Sequence, residues 1–323
     1  MWHRRARKYN RQLLGENYDV FTALPYQMQR KIHWYMVSGM WMSALFEMQF
    51  GMKAQTAQQK LYALAGALLS LSDILIDDVG EKEIDFKKLL RPEVKETDSP
   101  GEQLYALYHR CLFSQLSGWQ YEMADHALQQ LLWAQIASRR QFDQNATPEE
   151  IDHISAEKGG WSIVLCRALV GQALRPEEEE AAFRLGSWIQ YLNDSQDLHK
   201  DLQASIRNFA NVRQNLHSVV QDLDACRQSV FQQYRQLDLL QKDRFAFILQ
   251  AFHIGVLAKL NHLSGLIGPD NRLDQLRRIS PKDARSTPFS FGNVRYALGK
   301  ILQYDRERLT HPMSFQLQTK KGT

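Results

Sequence analysis

A single all-α bundle is the fold class this sequence predicts, on three observations. Apolar residues recur with helical period over long stretches; nine prolines and seventeen glycines fall mostly at the breaks between those stretches; and no alternating apolar run is bounded by hairpin dipeptides. At 323 residues the chain can bury a sizeable core as one domain, and no repeat or low-complexity segment divides it. The basic ends, residues 1–10 and 310–323 with Lys320 and Lys321, are expected to be tails.

In order, helices are expected at 3–14, 25–50, 54–79, 101–122, 124–144, 148–174, 177–204, 213–236, 240–265 and 290–308. The second is rich in Met, Trp and Phe, but Arg30, Lys31, Ser38, Ser43, Glu47 and Gln49 interrupt it, so it reads as an inner bundle helix and not as a membrane span. The third is apolar nearly all round from Leu61 to Leu71, the mark of a buried helix. The sixth and seventh have starts with a mechanism. Thr147-Pro148-Glu149-Glu150 offers a capping hydroxyl, a first-turn proline and early acids, and Arg175-Pro176-Glu177-Glu178 repeats the first-turn chemistry. Polar connections at 82–100 and 268–288 are long enough to cover a site.

Two acidic clusters carry the chemistry. Asp73 and Asp77 follow the apolar run of the third helix, so their carboxylates are expected in the interior or a cavity, where they must be protonated, paired or metal-bound. Asp78 points about 100° away, and Glu81 follows Asp77 by four. A helix end emerging into water would explain this cluster equally well if it stood alone. In the second cluster Gly186, Gln190, Asn193, Asp197 and Asp201 form a small or polar stripe beside Ala182, Leu185, Ile189 and Leu192. Asn193, Asp197 and Asp201, spaced by four and four, can converge on one hard cation. An all-oxygen set with few charges suits Mg²⁺ shared with phosphate oxygens, and Lys200 lies beside it.

The stretch Arg184-Leu185-Gly186 through Gln190, Asn193, Asp197 and Asp201 resembles the RLGxxxQxxNxxxDxxxD segment of squalene/phytoene synthases. Val170-Gly171 looks like that family's VG on the preceding helix, Arg207-Asn208-Phe209 like its arginine-aromatic loop, and Asp73 with Asp77 like its first DxxxD. The second cluster is also similar to the NDxxSxxKE motif of class I terpene synthases, with Asn193, Asp194, Asp197, Lys200 and Asp201 in place and Asp standing for both Ser and Glu. The resemblance spans roughly residues 60–215. It implies the class I isoprenoid synthase helical fold with a central active-site cavity, about three Mg²⁺ ions held by Asp73, Asp77, Asn193, Asp197 and Asp201, and a prenyl diphosphate substrate of C15 or C20 class.

Departures favour one substrate over two. The head-to-head family's Ser-Phe signature and its arginine before the first acidic motif are not evident, and no RRG-type site follows that motif. Ionisation and cyclisation of one prenyl diphosphate by a class I terpene synthase is therefore expected. A head-to-head prenyltransferase and a non-catalytic helical binding protein are the alternatives. Lys158, Lys200 and Arg207 are expected on the diphosphate, and Trp161 and Phe252 on the cavity wall. The pair Gly159-Gly160 reads as a kink or a close backbone approach, similar to the helix break of terpene synthases, or as a junction between two helices. Arg139 and Arg140 are the nearest options for a diphosphate-sensing arginine, and His253 reads as structural.

Composition fits a cytoplasmic enzyme. Cys111, Cys166 and Cys226 lack CxxC spacing, against disulfides or zinc, and a net charge of +4 is too small to imply nucleic acid. No targeting segment or stable membrane span is expected; a homodimer is compatible with the sequence.

Overall fold

The structure is a computed structural model that describes residues 2–50, 56–78, 86–93, 95, 98–237 and 242–285. The expected helix at 290–308 and the tail at 310–323 lie outside them. Eleven α-helices are formed by the described residues: α1 (Trp2–Leu14), α2 (Tyr18–Thr22), α3 (Tyr26–Gln49), α4 (Thr56–Asp78), α5 (Phe86–Leu90), α6 (Pro100–Phe113), α7 (Trp119–Ala137), α8 (Pro148–Ala168), α9 (Pro176–Ala204), α10 (Leu216–Gln236) and α11 (Lys242–Ser264). Short 3₁₀ turns sit at Gly15–Asn17, Ser138–Phe142 and Leu273–Arg278, and no strand occurs among the described residues. The all-α class holds.

Starts follow their chemistry. Ser99 caps α6 with a full capping box to Glu102, Thr147 accepts from the Glu150 amide at the start of α8, and Asn215 accepts from the Ser218 amide at the start of α10. Several ends differ from expectation. The helix expected at 101–122 stops at Phe113, because Gly118 takes φ +52°, a conformation open to glycine, and resets the chain into α7. The helix expected to reach 174 stops at Ala168; Gly171, at φ +84°, turns the chain toward α9, so Val170-Gly171 lies beyond the helix and not on it. The helix expected at 3–14 forms as α1, and residues 2–10, also expected to form a tail, pack into the bundle with Ala6, Tyr9 and Asn10 buried.

Two antiparallel helix pairs set the frame, each crossing in backbone contact. A Cβ on Gly39 would lie 2.1 Å from the Tyr62 carbonyl oxygen and one on Gly66 2.1 Å from that of Tyr35, which fixes α3 against α4. Likewise a Cβ on Gly159 would lie 2.3 Å from the Gly186 oxygen, and one on Gly186 2.2 Å from the Gly159 oxygen, which fixes α8 against α9. Gly160 is needed for the Phe183 ring, 2.5 Å from the same construction. The double glycine therefore serves a close approach. The expected break is absent, for α8 runs unbroken through both residues.

The core fills the space between these pairs. Met36 and Met40 of α3, Ala63, Leu64, Ala67, Leu68 and Leu71 of α4, Val164 and Ala168 of α8, and Leu185, Trp188 and Leu198 of α9 are all buried. The helix α4, apolar all round, is buried as its sequence requires.

Candidate active site

Asp73 leaves the core face of α4 only 8% exposed, and its carboxylate is gripped from two other helices. Lys31 of α3 donates to Oδ2 at 2.6 Å, and Lys158 of α8 donates to Oδ1 at 2.7 Å. Burial alone would raise the pKa of this acid; the two ammonium groups outweigh it and hold the carboxyl at about 2. Asp73 is thus a buried, ionised carboxylate with each oxygen on a lysine. Asp77 and Asp78 close α4, and their side chains lie outside the described structure. Arg139, in the 3₁₀ turn after α7, donates to the Ile76 carbonyl at 3.1 Å and so sits against that same last turn. Arg140 is paired on the surface with Asp143 and Glu150.

The oxygen face of α9 lies across α8. Lys158 touches Asp73, while Gly159, the next residue, touches Gly186 and Gln190 of α9. Along that face Asn193 is exposed, and Asp197 and Asp201 are half-buried. Asp201 accepts from Asn208 Nδ2 at 2.7 Å. Burial pushes its pKa up, and the charge of Asp197 adds to the rise. Lys200, 74% exposed, reaches Asp197 at 3.4 Å. Lys259 of α11 approaches from the other side, donating to the Gln196 carbonyl within the field of Asp197 and Asp201, with its own pKa lowered by burial.

Asp194 is a different kind of group from its neighbours. It is buried, accepting from Gln190 Nε2 at 2.8 Å, Ser155 Oγ at 2.9 Å and the Phe209 amide at 3.2 Å. Desolvation is the larger influence, and its pKa rises to about 6 despite these donors. It locks α8, α9 and the 205–213 segment together. Gln190 is consequently spent on Asp194 and does not join the open stripe expected for it.

Other expected residues fall elsewhere. Arg207, expected on the diphosphate, donates through its guanidinium to the carbonyls of Gln144 and Ala146 and through its amide to Gln141, so it holds the turn before α8. Trp161 packs edge-on between His126 of α7 and Phe183 of α9, with its indole N–H on Glu157 at 2.7 Å. Phe252, expected on the cavity wall, is 49% exposed between α11 and α3, its ring 6.5 Å from that of Trp41. His253 is buried on Asp224 at 2.9 Å beside Trp188, a structural placement. The three cysteines are free thiols, each covered at least in part.

Sequence reasoning missed Lys31 and Lys259. Lys31 was visible only as an interruption of an apolar helix, and Lys259 as a lone charge in the run Ile254-Gly255-Val256-Leu257-Ala258-Lys259-Leu260. A single cation inside an apolar helix was the available signal.

No three His, Cys, Asp or Glu side chains among the described residues gather into a ready metal cluster. Asp73 as it stands is neutralised by lysines and does not present free oxygens. The donor types on α9 are those a hard divalent cation takes. The helix offers two carboxylates and an amide on one face, with Asp201 held in the repulsive field of Asp197 that such a cation relieves.

No family model and no curated protein matches the chain. Among solved structures, a geranyltransferase from Legionella pneumophila aligns with a TM-score of 0.48 at 17% identity, over 81% of this chain and 98% of that chain.

Proposed function

We propose that the protein is a Mg²⁺-dependent class I isoprenoid synthase that ionises one prenyl diphosphate and cyclises the resulting allylic cation. The observation that supports this reading is Asp73 gripped by two ammonium groups, one of them from Lys158, whose neighbour Gly159 meets α9 at Gly186 and Gln190. Asn193, Asp197 and Asp201 follow on the same helix α9 at a spacing of four. A diphosphate needs both cationic donors and hard-metal ligands, and a solvated charged face needs neither arranged across a buried crossing.

Asn193, Asp197 and Asp201 would hold Mg²⁺, with Asp77 completing the set from α4. Bound there, Mg²⁺ supplies Lewis-acid neutralisation of the charge that grows on the leaving diphosphate. Lys158 and Lys31 exchange part of their contact with Asp73 for phosphate oxygens, and Lys200 and Lys259 add positive field from the α9 side. Asp73 keeps the two lysines charged and aimed while the site is empty. The apolar flank of α4 below Asp73 excludes water from the cation.

The test is incubation of the purified protein with geranyl, farnesyl and geranylgeranyl diphosphates and Mg²⁺, read by diphosphate release and mass spectrometry. The expected result is a cyclic hydrocarbon or alcohol of unchanged carbon count, with release falling about 100-fold or more in Asn193→Ala and Asp77→Ala. Release that survives both substitutions refutes the reading. A product of doubled carbon count moves the assignment to head-to-head condensation.

A further inference from the structure

The helix α1 presents an unusual face. Its thirteen residues include no acid; Ala6, Tyr9 and Leu14 are buried, while Arg4, Arg7, Lys8 and Arg11 point outward. None of these four forms an ion pair among the described residues, and the nearest exposed acids along the chain, Glu16 and Asp19, are likewise unpaired with them. Beside α1 runs a stripe of α3 made of Tyr26, Arg30, Trp34, Ser38 and Trp41, spaced by four, four, four and three, which is one side of a helix. That side is turned to water: Tyr26 is 73% exposed, Trp34 50% and Trp41 43%. The two features adjoin, for the His3 ring of α1 meets the Trp34 ring edge-on at 4.7 Å between centroids.

We propose that this joint face docks the protein on an anionic lipid bilayer. Clustered Lys and Arg are drawn to an anionic leaflet, each contributing a few-fold to affinity, and Trp and Tyr settle at the headgroup level where one edge is apolar and the other wet. The face has both, joined where His3 meets Trp34. Because the apolar side of α1 is used up inside the bundle, the helix does not insert; it lays its arginines on the headgroups while the α3 aromatics reach the interface. A nucleic acid shares the charge requirement but fits less well. Tyr26 and Trp34 are eight residues apart, about 12 Å along a helix, too far for successive stacked bases.

The experiment is vesicle flotation of the full chain without substrate, so its outcome is independent of the proposed catalysis. Neutral phosphatidylcholine vesicles are compared with vesicles containing about 30 mol% phosphatidylglycerol, at salt from about 50 to about 500 mM. The expected result is at least about tenfold tighter binding to the anionic vesicles, weakening with salt. The combined variant Arg4→Gln, Arg7→Gln, Lys8→Gln is expected to lose about 100-fold, and Trp34→Ser about tenfold with the salt dependence kept. All four positions are exposed or half-exposed, and both variants are checked for a wild-type melting temperature; should the combined variant melt early, Trp34→Ser and the salt series decide. Equal binding to neutral and anionic vesicles overturns the proposal, as does wild-type binding by both variants. Tighter binding to a short single-stranded DNA, lost in the same variants, overturns it in favour of nucleic acid.

Discussion

Asp73 and Asp194 start from the same chemistry and are pushed in opposite directions. Two lysines hold Asp73 at about 2, while burial among neutral donors lifts Asp194 to about 6. Folded below its unfolded value, Asp73 adds stability that is present above about pH 4 and lost as pH falls through about 2, worth roughly 2 kcal/mol. Comparing wild type with Asp73→Asn by thermal unfolding from pH 7 to pH 2 is expected to show the variant less stable at neutrality and the gap closing in acid. Raised in the fold, Asp194 has the reverse sign: its contribution is complete below about pH 4 and is lost as pH rises through about 6, up to about 3 kcal/mol. In EDTA, Asp194→Asn is expected to remove that slope, since the amide keeps its acceptor oxygen and Gln190 can turn its own amide. The burial of Asp73 was legible in the apolar run before it. Its partners were not: Lys31 and Lys158 are 42 and 85 positions away, and a helical period tells which face a residue occupies, never what faces it.

Among the elements, α8 and α9 show what a glycine pair can and cannot announce. Sequence spacing placed Gly186 under the polar stripe and marked Gly159-Gly160 as a close approach, a break or a junction; the crossing, where an added Cβ would lie 2.2 to 2.3 Å from the opposite carbonyl oxygen, chooses the first. Any side chain there must part the two helices, so Gly159→Leu is expected to cost at least about 3 kcal/mol in denaturant unfolding. Gly255 on α11 is the control, with nothing within 4 Å of an added Cβ. Gly255→Ala is expected to be neutral or to stabilise by up to about 1 kcal/mol through helix propensity. Helix spans with a proline at their start, such as 25–50 and 177–204, were read to within a residue of α3 and α9. The turn at 114–118 was missed because Leu116 and Trp119 continue an apolar pattern across it, although α6 ends at Phe113 and Gly118 takes φ +52° ahead of α7.

At the scale of the whole molecule, a net charge of +4 conceals an uneven distribution. Cations gather on α1 at one surface and around Asp73 and α9 at the site, while Glu177, Glu178 and Glu179 open α9 at its far end. The bundle was legible from periodicity, and so was the oxygen face of α9, because a helix converts spacing directly into a shared side. The meeting of Lys31 and Lys158 on Asp73 is tertiary and depends on the packing of α3, α4 and α8. The most direct measurement of the central claim is the melting temperature with Mg²⁺ and inorganic diphosphate together, against either alone. At a saturation of about 100 times Kd the pair is predicted to stabilise the wild type by about 2.7 kcal/mol, a rise of several degrees, and to leave Asp197→Asn with Asp201→Asn unmoved. An unchanged melting temperature in the wild type, or the same rise in that double variant, would contradict the account.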